Sequence, residues 1–144
     1  MKAIFAVDSA GGIGKNGSLP WPKQHTLNQT ILMGRGTWDD PAFPKPLPNR
    51  TNIVLTSQAI DLPNVISVQS IDDERIQDAI VIGGAKLITS IADRIDTIYL
   101  TRFDQCYDCD TFIDAEVLLD DFYIIERIQS TGLAFETWKK CNNT

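Results

Sequence analysis

Short apolar runs separated by turn residues set the pattern of this chain. Ala3–Val7, Thr30–Met33, Asn52–Thr56, Val65–Val68, Ala79–Ile82, Thr97–Thr101, Phe122–Arg127 and Leu133–Lys139 are rich in Ile, Val, Leu or aromatic residues. Their lengths fall in the range of roughly four to eight residues expected of strands. Helical periodicity is sparser. The spacing predicts a short helix from Thr37, another through Ile71–Gln77, and a clearer one over Ala85–Ala92; from this last, Leu87, Ile88, Ile91 and Ile95 would face a sheet. Strand–helix–strand order through most of the chain points to a parallel sheet. The last two runs, separated near Ser130, Thr131 and Gly132, read as an antiparallel hairpin. Pro41, Pro44, Pro46 and Pro48 hold an extended connection in which neither helix nor strand pairing continues.

Composition narrows the class. At 144 residues, 43% hydrophobic and 22% charged, the chain suits one soluble domain. A net charge of −6 argues against a nucleic-acid partner, whose recognition rests on clustered Lys and Arg. No apolar run reaches the length of about 18 residues needed to span a bilayer. The opening segment meets Asp8 too soon for a signal peptide, so a cytoplasmic location is expected. Three cysteines fit a disulfide framework poorly. Cys106 and Cys109 sit among Asp104, Asp108 and Asp110, which would raise a thiol pKa, so they read as ordinary loop thiols. With His25 the only histidine and far from them, no metal site is expected.

The most informative chemistry lies at Ile31–Trp38, a buried run leading into a glycine turn and a helix start. Gly34 and Gly36 let backbone approach a ligand, and Arg35 places a fixed positive charge beside free helix amides. That combination suits a phosphate or pyrophosphate.

Four segments then fall in a telling order: Ala6–Val7–Asp8 through Ile13–Gly14 to Leu19–Pro20–Trp21; Met33 to Trp38; Pro46 to Arg50; and Val81 to Gly84. With Ile98 to Thr101 and Asp110–Thr111 added, nearly the whole chain resembles dihydrofolate reductase. The resemblance implies a single α/β domain over residues 1–144, three layers deep, with a mixed, mostly parallel sheet of about eight strands and a C-terminal antiparallel hairpin. It also implies NADPH as cofactor and dihydrofolate as small-molecule substrate, with a monomer expected and a dimer left open. Ala6, Ile13 and Gly14 would border the nicotinamide; Gly34, Arg35, Gly36 and Thr37 the pyrophosphate; Leu55, Thr56 and Ser57 the adenosine end. Ile82, Gly83, Gly84, Ala85, Lys86 and Leu87 would complete the cofactor site, Gly83–Gly84 matching the family's cis-linked diglycine. Arg35, Ser57 and Lys86 would receive the 2′-phosphate through charge-assisted bonds. On the substrate side the resemblance implies Ile4, Ala6, Leu19, Leu47, Arg50 and Thr101, with Arg50 gripping a carboxylate and Leu47 flanking the benzoyl ring. Thr101 and Trp21 fall at positions tied to catalysis.

One expected residue is missing. The family carries an Asp or Glu in a segment after Leu-Pro-Trp, followed by a helix; here the stretch between Trp21 and Met33 has neither acid, and Pro22 opens a segment too short for a stable amphipathic helix. That acid anchors the pterin and favours protonation of N5. Losing such a buried carboxylate should cost affinity on the order of 2–4 kcal/mol. His25 lies in the shortened segment and has a suitable pKa range for proton transfer. Asp39 and Asp40 follow Trp38 and read first as first-turn acids that complement a helix dipole, and second as replacement acids. Three functions stay open: an inefficient reductase of dihydrofolate using a water-supplied proton, a reductase of another heterocycle of the riboflavin-pathway type, or a cofactor- or folate-binding protein without turnover.

Overall fold

The computed structural model describes residues 1–7, 29–39, 49–60, 62–104, 113 and 115–141. All eight expected strands form: β1 (Lys2–Val7), β2 (Thr30–Gly34), β3 (Thr51–Leu55), β4 (Val65–Val68), β5 (Ile80–Gly83), β6 (Thr97–Phe103), β7 (Phe122–Ser130) and β8 (Leu133–Lys140). They build one sheet in the order β4-β3-β2-β5-β1-β6-β8-β7. The pairings from β4 across to β6 are parallel, while β8 runs antiparallel to both β6 and β7. The sheet is thus mixed and mostly parallel, with the C-terminal hairpin closing one end. Its tight turn is Thr131–Gly132, where Gly132 has φ +78°, a conformation that costs glycine little.

Alternation along the strands gives the sheet two apolar faces, as a sheet buried on both sides requires. Ala3, Phe5, Val7, Leu32, Ile53, Val81, Ile98 and Leu100 line one face, and α2 (Ala85–Ser90) packs there through Leu87 and Ile88. Ile91 and Ile95 extend the same contact and are almost fully buried, as the helical spacing predicts. Ile4, Ile31, Met33, Val54, Ile80 and Ile82 line the opposite face, joined by Trp38 of α1 (Arg35–Asp39). Helical pieces therefore flank both faces, giving three layers.

The helices depart from expectation in detail. The helix expected from Thr37 starts at Arg35, directly from the end of β2. The helix expected over Ile71–Gln77 is only a 3₁₀ turn, Glu74–Ile76, because its one buried apolar residue is Ile76 and Asp73 caps the turn by accepting the Arg75 amide at 2.9 Å. The helix expected to reach Ala92 stops at Ser90. Its last hydroxyls turn back on the helix, Thr89 donating to the Ala85 carbonyl and Ser90 to that of Leu87, both at 2.8 Å. A 3₁₀ turn, Ala92–Arg94, follows. A fourth segment, α3 (Ala115–Leu118) running into a 3₁₀ turn at Leu119–Asp121, had no periodic signal.

Candidate active site

The parallel strands all end at one edge of the sheet, and there the chemistry collects. β1 lies between β5 and β6, although it precedes both by many residues. Such a reversal in strand order opens a crevice beyond the carboxyl ends, the usual ligand position in open α/β sheets.

On one side of this edge, Gly34 at the end of β2 meets Gly83 and Gly84 at the end of β5. A Cβ on Gly34 would lie 3.9 Å from both the Gly84 nitrogen and the Leu87 Cβ. The Gly83–Gly84 peptide is cis, and Gly83 has φ +155°. The Thr37 hydroxyl lies directly over this pair: a Cβ on Gly83 would sit 3.1 Å from it, and one on Gly84 3.5 Å. A side chain at Gly83 would crowd Thr37, one at Gly84 would only touch it, and Gly36 faces open space. Gly34, Gly36, Thr37, Gly83, Gly84 and Leu87 thus belong to one cradle, with Ile82 and Ala85 buried beneath it.

Arg35 reaches sideways to β3. Its Nη1 donates to Thr56 Oγ1 at 3.2 Å, and its Nε donates to both carboxylate oxygens of Asp39 at 3.0 Å. Thr56 is itself fixed: its amide donates to the Val68 carbonyl at 2.8 Å, and its hydroxyl also accepts the Gln58 amide at 3.2 Å. Arg35 is therefore joined to Thr56 rather than Ser57. Ser57 and Lys86 are both exposed. Asp39 corrects the expectation of a first-turn acid: it closes α1, and its carboxylate is taken up by Arg35. The helix starts two residues before Thr37, which puts Asp39 at its end instead of in its first turn. Asp40 lies outside the described residues.

The other side of the edge carries Thr101. It lies between Ala6 of β1 and Phe135 of β8, on the face of Ile4 and Tyr99. Thr101 is fully buried, and its Oγ1 has no hydrogen-bond partner among the described residues. A buried hydroxyl left unpaired is costly and marks a group waiting for a ligand or water. Ile4, Ala6 and Thr101 are thus brought together on one face of the sheet. Arg50 stands apart, at the start of β3. The buried Asn52, which pattern reading passed over as one polar residue in a strand, donates from Nδ2 to the Arg50 carbonyl at 3.1 Å and so steadies it. Ile13, Gly14, Leu19, Trp21, His25 and Leu47 lie outside the described residues, as do Cys106, Cys109, Asp110 and Thr111. Cys141 is an exposed free thiol. No group of His, Cys, Asp or Glu among the described residues is arranged to hold a metal ion. No helix among them is long and apolar enough to cross a membrane.

On the opposite face sits a buried charge that the sequence did not flag. Glu136 of β8 accepts from Arg102 Nε at 2.8 Å and Trp138 Nε1 at 2.9 Å, with Arg127 Nε 3.4 Å from its second oxygen. It clamps β6, β8 and β7 together directly behind the Thr101–Phe135 row. Alternation placed an acid on an inward position there, which is the signal that exposes it.

Fold and edge together define an α/β protein with a glycine cradle and a buried, unpartnered threonine hydroxyl, among the described residues, at the carboxyl ends of its parallel strands. The comparisons make this particular. The dihydrofolate reductase family model matches residues 1–137. Dihydrofolate reductase type 8 of Escherichia coli, and its counterpart of the same name in Shigella sonnei, are 34% identical over 145 residues, covering 85% of each chain. The dihydrofolate reductase of Enterococcus faecalis complexed with NADP(H) and RAB-propyl superposes with a TM-score of 0.78 at 28% identity, covering 98% of this chain and 96% of that one. The chain belongs to the dihydrofolate reductase family and is an oxidoreductase.

Proposed function

We propose that this enzyme reduces 7,8-dihydrofolate to tetrahydrofolate with NADPH, at reduced efficiency and with water as the source of the N5 proton. We also read residues 1–144 as one domain, since the family match runs through nearly all of it. When bound, NADPH supplies hydride to C6 of the pterin. The chain's own residues orient and exclude. Gly34, Gly83 and Gly84 leave a side-chain-free floor beside the Thr37 hydroxyl, against which a pyrophosphate can lie. Arg35, held on Thr56, supplies the fixed charge for the adenosine end. These residues fit the cofactor.

The observation that carries the reading is the lone hydroxyl of Thr101. It lies beside Ala6 and Phe135, on the same edge as the glycine cradle, and lacks a partner among the described residues. A pterin amino group or ring nitrogen would satisfy it. Arg50, with Asn52 steadying its backbone, supports recognition of the substrate's distant carboxylate. Holding donor and acceptor carbons together provides much of the rate by proximity. Nothing in the Trp21–Met33 sequence supplies a carboxylic acid, so protonation of N5 falls to solvent and efficiency drops.

Mixing the protein with NADPH and dihydrofolate, and following the nicotinamide absorbance band, tests this directly. Turnover is expected, with a hydride step that keeps accelerating as pH falls through the carboxylate range. NADPH binding with no turnover would overturn the reading. A plateau near neutrality would replace water by an enzyme group, and His25→Ala would then show whether His25 provides it.

A further inference from the structure

We infer that Asp39 sets how strongly this pocket prefers a 2′-phosphorylated dinucleotide, by occupying Arg35 ahead of the ligand. The inference rests on the reading of Arg35 as the cation for the adenosine end.

A guanidinium offers five N–H groups in a rigid fork, and bidentate recognition of phosphate needs two that point the same way. In Arg35 the Nε–H is spent on both Asp39 oxygens at 3.0 Å, and one Nη1 hydrogen on Thr56 at 3.2 Å. Nη2 has no partner among the described residues. The two contacts differ in kind. Thr56 is neutral, 9% exposed and tied to Val68 and Gln58, so it positions the arginine without neutralising it. Asp39 is charged and sits four residues along the same helix; the Asp39 and Arg35 side chains are 56% and 40% exposed.

An exposed pair of this sort is weak. A phosphate with nearly two charges can displace Asp39, but it must give up part of its gain to do so and meets the freed carboxylate's repulsion. A ligand with a free 2′-hydroxyl pays neither cost, and a carboxylate beside a ribose can accept that hydroxyl's hydrogen bond. Asp39 therefore narrows the gap between the two dinucleotides, and the enzyme's preference for the phosphorylated one is smaller than Arg35 alone would give.

Calorimetry with two fragments tests this without turnover: adenosine 2′,5′-bisphosphate and adenosine 5′-monophosphate, which differ only in the 2′-phosphate. Asp39→Asn keeps the side chain's shape and removes its charge. It should tighten the bisphosphate about three- to tenfold and leave the monophosphate within about twofold. Equal affinities for the bisphosphate in wild type and variant would overturn the inference, as would weaker binding by the variant, which would make Asp39 a support for Arg35. Arg35→Gln separates this from failure of the underlying reading. If that substitution removes the wild-type preference for the bisphosphate while Asp39→Asn changes nothing, only the role of Asp39 falls. If Arg35→Gln leaves bisphosphate binding intact, both fall.

Discussion

Thr101 concentrates a conflict between folding and binding in one hydroxyl. Its Oγ1 is buried without a partner among the described residues, so in the folded protein it lowers stability. Thr101→Val keeps the shape and removes the penalty. Chemical denaturation should show the variant equally stable or more stable by about 1 kcal/mol, while fluorescence titration shows dihydrofolate bound about tenfold more weakly. Glu136 poses the reverse case, since all of its partners favour the fold. Removing Arg102 as methionine leaves a buried carboxylate with Trp138 and the more distant Arg127, and should cost about 2–3 kcal/mol in denaturant unfolding. Asp73 gives a third reading at this scale. Hydrogen bonds from the Arg75 side chain and amide hold its carboxyl down at about 2, from an ordinary 3.8. A depressed acid contributes stability that is complete above its ordinary pKa and is lost as pH falls through the folded value. The contribution of Asp73 should therefore fade between about pH 4 and pH 2. NMR titration should place its midpoint near 2, and Arg75→Ala should move it up toward 3.8.

Among the elements, strands were far more legible than helices, and the reason is physical. In β1 to β6 apolar residues crowd together because both faces of the sheet are covered there, and such runs stand out against turns. The helices are four to six residues long. At that length periodicity has barely begun, and packing rather than propensity decides where they stop. Only α2, with Leu87 and Ile88 followed by Ile91 and Ile95, carried a pattern long enough to read. Ile88→Ala should accordingly cost about 2–4 kcal/mol in unfolding experiments, since Ile88 is fully buried against the sheet. The site divided along similar lines. Glycines and Thr37 could be read from their place after an apolar run, whereas Asp39 on Arg35 and Asn52 on Arg50 are contacts between side chain and neighbour that no spacing announces. β7 shows what pattern leaves uncorrected: it is the sheet's outer strand, and Tyr123, Ile124, Ile125 and Ile128 are exposed along it. An apolar edge invites pairing with other chains. Ile125→Lys should raise the concentration at which the protein first scatters light, with little loss of stability, because Ile125 sits at the irregularity between Ile124 and Glu126.

In the whole molecule, a net charge of −6 sets an acidic background around a site meant for anionic ligands. A handful of local cations must overcome it, which is why the state of Arg35 matters so much. A second molecular feature joins the sheet's two ends of sequence. Asp96, just before β6, lies 3.1 Å from the N-terminal ammonium and accepts from the Thr97 hydroxyl at 2.8 Å. Its carbonyl takes the Lys140 amide at 2.9 Å. Burial pushes its carboxyl up, but Thr97, the ammonium and Lys139 together outweigh burial and hold it below the ordinary carboxylate range. Its stabilising effect is likewise present above about pH 4 and fades below.

The placement of β1 between β5 and β6 carries a consequence for the protein's birth. Lys2–Val7 is made well before either neighbour: one arrives only with Ile80–Gly83 and the other only with Thr97–Phe103. Until then β1 has no strand to dock against, so nascent chains halted before residue 80 should be digested readily by protease, with resistance arriving late and abruptly.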